Sequence, residues 1–302
     1  MSAAPAPTSW RTRTEHGPGG DAPPAGVHVS FGCVTVIPRR WHAGRLDRAR
    51  LERRIKTVAR RLLRGEKRVP YSPDVPVIVI CRDRLEPMTR LVAWLEAEGL
   101  RNIIFVDNDS TYPPLLAYFE RTAYRVVRLG RNVGHTSPWL PEVQELIPPG
   151  APYIVTDPDV VPCEGSHGAV REFFRLLNDY PGYVKVGFGL RIDDLPEHYC
   201  RRDEVIAWES SLIERAVERN VYRVPIDTTF ALHRAGTPYT LVPSLRTAGR
   251  FVARHEPWYE DCDNVGAEVA YYLAHASSSA TWRATAADGP PDRGDRDGAT
   301  PG

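Results

Sequence analysis

Two hydrophobic rhythms alternate along the middle of the chain. Val77–Cys81 is a short, continuous, largely β-branched apolar run, the pattern of a strand buried on both faces. Behind it Leu85, Met88, Leu91, Val92 and Leu95 recur at helical spacing, and Gly99 supplies a stop. The exchange then repeats, with strands expected at 103–106, 124–129, 153–155 and 183–192 and helices at 113–120 and 170–177. Residues 225–233 alternate enough to form a further strand. Strands alternating with helices predict an α/β domain with a mostly parallel central sheet covered by helices on both faces. In such a sheet, ligands bind outside the carboxyl ends of the strands.

Outside that block the pattern changes. Residues 1–27 and 284–302 are rich in Pro, Gly, Ala, Ser and Asp, have little to bury, and read as disordered tails. Residues 28–74 form an N-terminal extension, leaving 75–283 as the main domain. Within the extension Leu51, Ile55, Val58 and Leu62 recur at spacings of four, three and four, a helical stripe whose other faces carry arginines. Two readings of this basic amphipathic helix stand side by side. It docks its stripe on the main domain, or it makes a peripheral contact with a membrane surface or polyanion. Residues 39–68 hold thirteen Lys/Arg against three acids, a net of +10, which leaves −9 for the rest of a chain whose net charge is +1. No nucleic-acid partner is expected.

Composition narrows the class. With 42% hydrophobic and 25% charged residues the chain is ordinary for a globular protein. Its longest apolar run, 75–81 with Pro76 counted, is far short of the roughly 20 residues that span a bilayer. The first residues show no apolar core of a secretory leader. Five cysteines, an odd number without C-x-x-C spacing, argue against a disulfide framework or zinc site and for a reducing, cytoplasmic setting. No G-x-G-x-x-G follows the first strand and no G-x-x-x-x-G-K-[ST] occurs anywhere, which removes two common phosphate-binding turns.

Candidate chemistry sits where the strands end. The first strand closes on Cys81-Arg82-Asp83, the second on Asp107-Asn108-Asp109-Ser110, and the third on Gly130-Arg131-Asn132-Val133-Gly134. Asp107 can accept bonds from a base or ribose hydroxyl, or it makes an Asx turn. Asn132 and Gly134 allow close backbone approach to a ligand, or form a plain turn. The sharpest signal follows the fourth strand: Thr156-Asp157-Pro158-Asp159. In an extended segment, side chains two apart point the same way, so Asp157 and Asp159 present paired carboxylates. Two like charges held together need an offsetting cation or donors, and oxygen-only ligation selects Mg²⁺ or Mn²⁺ over zinc. Further on stand Asp227 and the segment His255-Glu256-Pro257-Trp258-Tyr259-Glu260-Asp261, with a candidate imidazole ligand in His255. Trp258 and Tyr259 are core aromatics or sugar-stacking rings, and the sequence leaves both open.

Together the opening strand, the Val106-Asp107-Asn108-Asp109-Ser110-Thr111 segment, the Asn132-x-Gly134 turn and the Asp157-Pro158-Asp159 triplet resemble a GT-A fold glycosyltransferase, most similar to the glycosyltransferase family 2 group. The resemblance covers about residues 75–275. It implies a nucleotide-diphosphate sugar donor and a divalent cation, with Asp107 on the base and Asp157 and Asp159 on the metal, joined by His255. The donor-binding set is Cys81, Arg82, Asp107, Asn108, Asn132, Gly134, Thr156 and Asp157. Asp261, in a Glu260-Asp261 pair, is the first candidate for catalytic base in an inverting transfer and Asp227 the second; the acceptor is unknown. A sugar-phosphate nucleotidyltransferase, which would want a Gly-rich basic loop after the first strand, and a catalytically silent nucleotide-sugar-binding module remain alternatives.

Overall fold

The strand β1 (Val77–Cys81) lies at the centre of the domain because both of its faces are apolar. Val77, Val79 and Cys81 point into one hydrophobic cluster and Ile78 and Ile80 into another. The computed structural model describes residues 55–56, 68–213 and 215–276. The two expected tails lie outside these residues. Of the basic helix only Ile55 and Lys56 are described, and both are helical and exposed.

After β1 come α1 (Glu86–Ala97), β2 (Ile103–Asp107), α2 (Pro113–Arg121) and β3 (Arg125–Arg128). A 3-10 turn over Gly134–Trp139 and the short α3 (Pro141–Gln144) lead to β4 (Tyr153–Thr156) and β5 (Val160–Pro162). Then follow α4 (Ala169–Asp179), β6 (Lys185–Leu190), α5 (Arg202–Ser211), the strands β7 (Arg215–Glu218) and β8 (Val221–Arg223), and β9 (Ala231–His233). The last elements are β10 (Ser244–His255), a 3-10 turn over Glu256–Tyr259, and α6 (Ala267–His275).

The strands form one mixed sheet in the order β3-β2-β1-β4-β9-β6-β10-β8-β7, with β5 beside β10. From the pairings, β1, β2, β3, β4, β6, β7 and β10 run one way and β5, β8 and β9 the other. The sheet is therefore mostly parallel, as expected. One face is covered by α1, α2 and α4, through Met88, Leu91, Leu95, Phe119, Phe173 and Leu177. The other is covered differently from the expectation. In place of long helices, the 3-10 turn and α3 lay Trp139, Leu140 and Val143 over Ile78, Ile104, Tyr153 and Val155. No described helix is long and apolar enough to cross a membrane.

Three further differences have physical causes. The strand expected over 225–233 shortens to β9, because the Asp227 carboxylate accepts the Thr229 amide at 3.0 Å and turns the chain. The long β10 carries no clean apolar pattern, since Gly249 lies in the left-handed region at a break in its register with β6. Cys200 and Cys262, 62 residues apart, form a disulfide. The expectation of no disulfide is thus wrong, and its support for a reducing compartment goes with it. The fold makes that pair adjacent, and spacing along the chain carries no trace of it. Cys81 and Cys163 are free and buried.

His233 illustrates how tightly β9 is held. It is fully buried, stacks on Tyr153 at 5.1 Å, and neither ring nitrogen has a hydrogen-bond partner among the described residues. Burial, with the nearby Lys185 charge adding to it, lowers its pKa from 6.5 to about 3. The imidazole is therefore neutral in the fold but protonates in the unfolded chain. Its contribution is fully present above pH 6.5 and is lost as pH falls toward 3. Urea titrations of wild type and His233→Leu should show it. The wild type should lose up to about 1.4 kcal/mol per pH unit more than the variant between pH 6 and 4.

Candidate active site at the carboxyl edge of the sheet

Because β1 to β4, β6 and β10 run in parallel, their carboxyl ends share one edge, and the antiparallel β9 brings its beginning to that same edge. Asp157 leaves β4 there, and Asp227 and Thr228 precede β9. The Thr228 hydroxyl donates to Asp157 Oδ2 at 2.8 Å, fastening the two segments together. Asp157 and Asp159 do not lie on one extended strand; residues 158 and 159 form a turn between β4 and β5. They are nevertheless brought together. Burial, then the charge of Asp159, then that of Asp227, holds the Asp157 carboxyl well above the usual carboxylate range. Asp159 and Asp227 are therefore near enough for their charges to act on Asp157.

His255 ends β10, opposite Val160 in the β5–β10 ladder, and the Glu256 amide donates to the Asp159 carbonyl at 2.9 Å. The His255 Nε2 lies 3.9 Å from Asp159 Oδ1, and its buried Nδ1 has no partner among the described residues.

Asp227 behaves differently from Asp157. Asp227 is exposed in the fold. Desolvation pushes its pKa up, but the Arg246 charge, the Thr229 amide and hydroxyl, and His255 outweigh that and hold it below the ordinary value. Arg246 is itself buried and paired with Glu209 of α5 at 2.7 Å. Lys185, fully buried in β6, donates Nζ to the Ile226 carbonyl at 2.5 Å and to the Asp227 carbonyl at 3.2 Å. Burial brings its pKa down to about 8, with the Asp227 charge opposing the fall.

The remaining expected residues divide. Arg82 lies at the edge, its Nη1 donating to the Asn108 carbonyl and its Nη2 to the His275 carbonyl, each at 3.0 Å. Thr156 is buried and its hydroxyl donates to the Asp157 carbonyl at 2.9 Å. Asn132 caps its own turn by accepting the Gly134 amide, and Gly134 takes the positive φ that glycine allows. Asn108 is spent on architecture, donating to Ser137 Oγ and accepting from the Val133 amide. Asp107 is also engaged: it accepts the Ser110 amide at 3.0 Å, pairs with Arg128 at 2.7 Å, and is 1% exposed. As placed, it makes the Asx turn. The Cys81 thiol is in the core, 3.6 Å from the Met88 sulfur, rather than at the edge.

Asp261 accepts the amides of Asp263 and Asn264 in the loop leading to α6, and Glu260 is ion-paired with the buried Arg84. Asp227, not Asp261, is the acid whose charge Asp157 feels. Trp258 is settled as a core ring, 2% exposed among Leu195, Tyr199 and Val205, and the Tyr259 hydroxyl donates to Asp194.

Sequence reasoning missed several residues here. Tyr272 of α6 is pushed up to about 12 by burial and by Asp159, with Asp157 adding to it, which sets its hydroxyl near the paired acids. Glu268 accepts the Leu85 and Glu86 amides at the start of α1 and lies 3.8 Å from Arg84, closing α6 over the edge. Arg246, Lys185 and Glu209 are likewise invisible in the sequence, where each is a lone charge in an unremarkable segment.

The donor chemistry fits a hard divalent cation. Carboxylates whose charges oppose one another stand beside a histidine with a polar atom unspent, and a dication would offset that repulsion. Among the described residues no three His, Cys, Asp or Glu side chains already stand in ligating geometry. Mg²⁺ and Mn²⁺ commonly bind through one or two carboxylates, with water and phosphate supplying the rest. No protein-family model matches the chain, and no curated protein matches it either.

The raised Asp157 pKa has a signed consequence. Its ionised form is disfavoured in the fold, so its contribution is favourable at low pH and is lost as pH rises through the folded value. Asp157→Asn keeps an acceptor for Thr228 and removes the repulsion. In divalent-free buffer at pH 7.5 this variant should melt about 2–4 °C above wild type, the size expected for roughly 1 kcal/mol. The gap should close as pH falls toward 4.

Proposed function

We propose that this chain is a metal-dependent glycosyltransferase of GT-A type, which moves a sugar from a nucleotide-diphosphate donor to a hydroxyl acceptor. The observation that carries the reading is the convergence of Asp157, Asp159 and Asp227 where strands running from both directions meet at one sheet edge. Such a concentration of negative charge opposes folding unless a ligand offsets it.

Asp157 and Asp159 would hold the divalent ion, with His255 beside Asp159. When bound, the ion offsets the charge that builds on the departing diphosphate. The chain's own groups supply the rest. Asp227 stays ionised because Arg246, the Thr229 amide and His255 outweigh its desolvation, so it is ready to receive the acceptor's proton. Lys185 grips the carbonyls of Ile226 and Asp227 and so fixes the direction of that carboxylate. Arg82, tied to the Asn108 carbonyl, and Tyr272, whose hydroxyl feels Asp159, would border the donor. Asp227 therefore takes precedence over Asp261 as base, in an inverting transfer.

A thermal-shift panel of UDP-glucose, GDP-mannose and ADP-glucose, with and without Mn²⁺, tests the reading. At least one donor should raise the melting point only when Mn²⁺ is present. At a hundredfold excess over Kd the stabilisation is about 2.7 kcal/mol, several degrees for a domain of this size. Asp159→Ala should abolish the shift and cut sugar release from that donor about 100-fold or more. Sugar release unchanged in Asp159→Ala would overturn the metal site. A panel with no Mn²⁺-dependent shift would overturn the donor class.

A further inference from the structure

Tyr239, at 36%, is one of few large apolar side chains exposed among the described residues, together with Leu241 and Val242 in the segment that reaches Asp227's neighbour. The link is direct: the Ile226 amide donates to the Leu241 carbonyl at 3.0 Å, one residue before Asp227. Two further rings pack against Tyr239. His135 lies 5.0 Å from it at 54°, and Trp139 5.3 Å from it at 68°. Trp139 is pinned in turn, its Nε1 shared between the Tyr153 hydroxyl at 3.1 Å and the Thr237 carbonyl at 3.0 Å. A ring packed against two neighbours yet 36% exposed offers a ready platform, costing a ligand little ordering of the protein.

The charge nearby is acidic. Asp227 and Asp157 both act on the Tyr239 hydroxyl. Arg246 is already paired with Glu209, and Lys185 points at backbone carbonyls. An anionic acceptor would meet repulsion here. A neutral ring with one apolar C–H face and several hydroxyls meets an aromatic face and carboxylate acceptors.

We propose that Tyr239 is the stacking platform of the acceptor subsite, and that the acceptor presents a neutral pyranose. Its C–H face lies on the phenol ring while a hydroxyl points toward Asp227. This rests on the glycosyltransferase reading above and adds the acceptor's chemical class and the residue that selects it.

Saturation-transfer NMR with methyl β-D-glucopyranoside, methyl β-D-galactopyranoside and methyl α-D-mannopyranoside tests it on the full chain. At least one glycoside should receive saturation on its ring protons. Tyr239→Ala should weaken that binding about fivefold or more, whereas Tyr239→Phe should keep it within about twofold. Methyl glucuronide should bind more weakly than the matching glucoside. Melting points of the two variants within about 2 °C of wild type establish that they are folded. Absence of transfer with all three glycosides overturns the proposal. So does transfer that Tyr239→Ala leaves unchanged, or a glucuronide that binds as well as the neutral sugar. The Mn²⁺-dependent donor shift, run on the same samples, separates the two readings. Its presence with failed glycoside binding removes the platform alone, and its absence with intact glycoside binding removes the donor chemistry and leaves a carbohydrate-binding surface.

Discussion

The site depends on one reversed strand. β9 runs against both neighbours, pairing Ala231, Leu232 and His233 with Val155, Ile154 and Tyr153 on one side and with Gly187, Val186 and Lys185 on the other. A parallel strand in that place would put its beginning at the opposite edge, far from the end of β4. Reversal delivers Asp227 and Thr228 to Asp157. The fit is close enough that Gly187 is obligatory, since a Cβ there would come within 2.3 Å of the Phe230 carbonyl. Lys185, one turn of the pleat away, spends its charge on the carbonyls of Ile226 and Asp227. The sheet and the acid cluster are therefore one construction, and loosening β9 would unmake both.

What could be read from the sequence follows from where local pattern and tertiary need agree. β1, β2 and β4 are buried on both faces, so continuous apolar runs mark them, and α1 shows its stripe because one face meets the core. Asp157 and Asp159 stood out because two carboxylates after such a strand have no local use. Asp107, Asn108 and Asn132 stood out for the same reason, yet they do have local uses: turns and a tie to the 3-10 segment at Ser137. Sequence cannot tell an Asx turn from a ligand contact when both want the same side chain. β10 and β5 were obscured because their partners are distant, and the position of Asp227 depends on the direction of β9, which three residues of pattern do not encode.

The C-terminal helix gives the edge its second wall. Glu268 takes the unpaired amides at the start of α1, where a carboxylate is favoured by the exposed N–H groups. Arg84 stands between Glu260 and Glu268 with its guanidinium 5.4 Å from the Tyr272 ring centre. Arg82 takes the His275 carbonyl at the helix's end, and the Tyr271 hydroxyl donates to the Thr111 carbonyl at 3.0 Å. α6 is thus tied to the ends of β1 and β2 by polar contacts, which water can replace one at a time. A helix held by apolar burial would come away only as a whole.

The same molecule shows how its acids are treated when architecture alone is at stake. Glu172, Asp179 and Glu218 are gathered around Arg175, Glu260 and Glu268 around Arg84, and Glu209 is matched to Arg246. Each cluster carries its own guanidinium. Asp157 is bonded to a threonine hydroxyl and faces two further acids, and its pKa moves upward as a result. Thr228 could serve β4 equally well with an asparagine at 157, without the repulsion. Retaining Asp157 and Asp159 around a turn, beside an Asp227 kept ionised by Arg246, makes physical sense if further positive charge arrives from outside the chain. Arg84, which feels Asp159 as well as Glu260 and Glu268, and Arg246 beside Asp227 offset part of this charge, and the repulsion left at Asp157 is what separates this edge from the paired acids elsewhere.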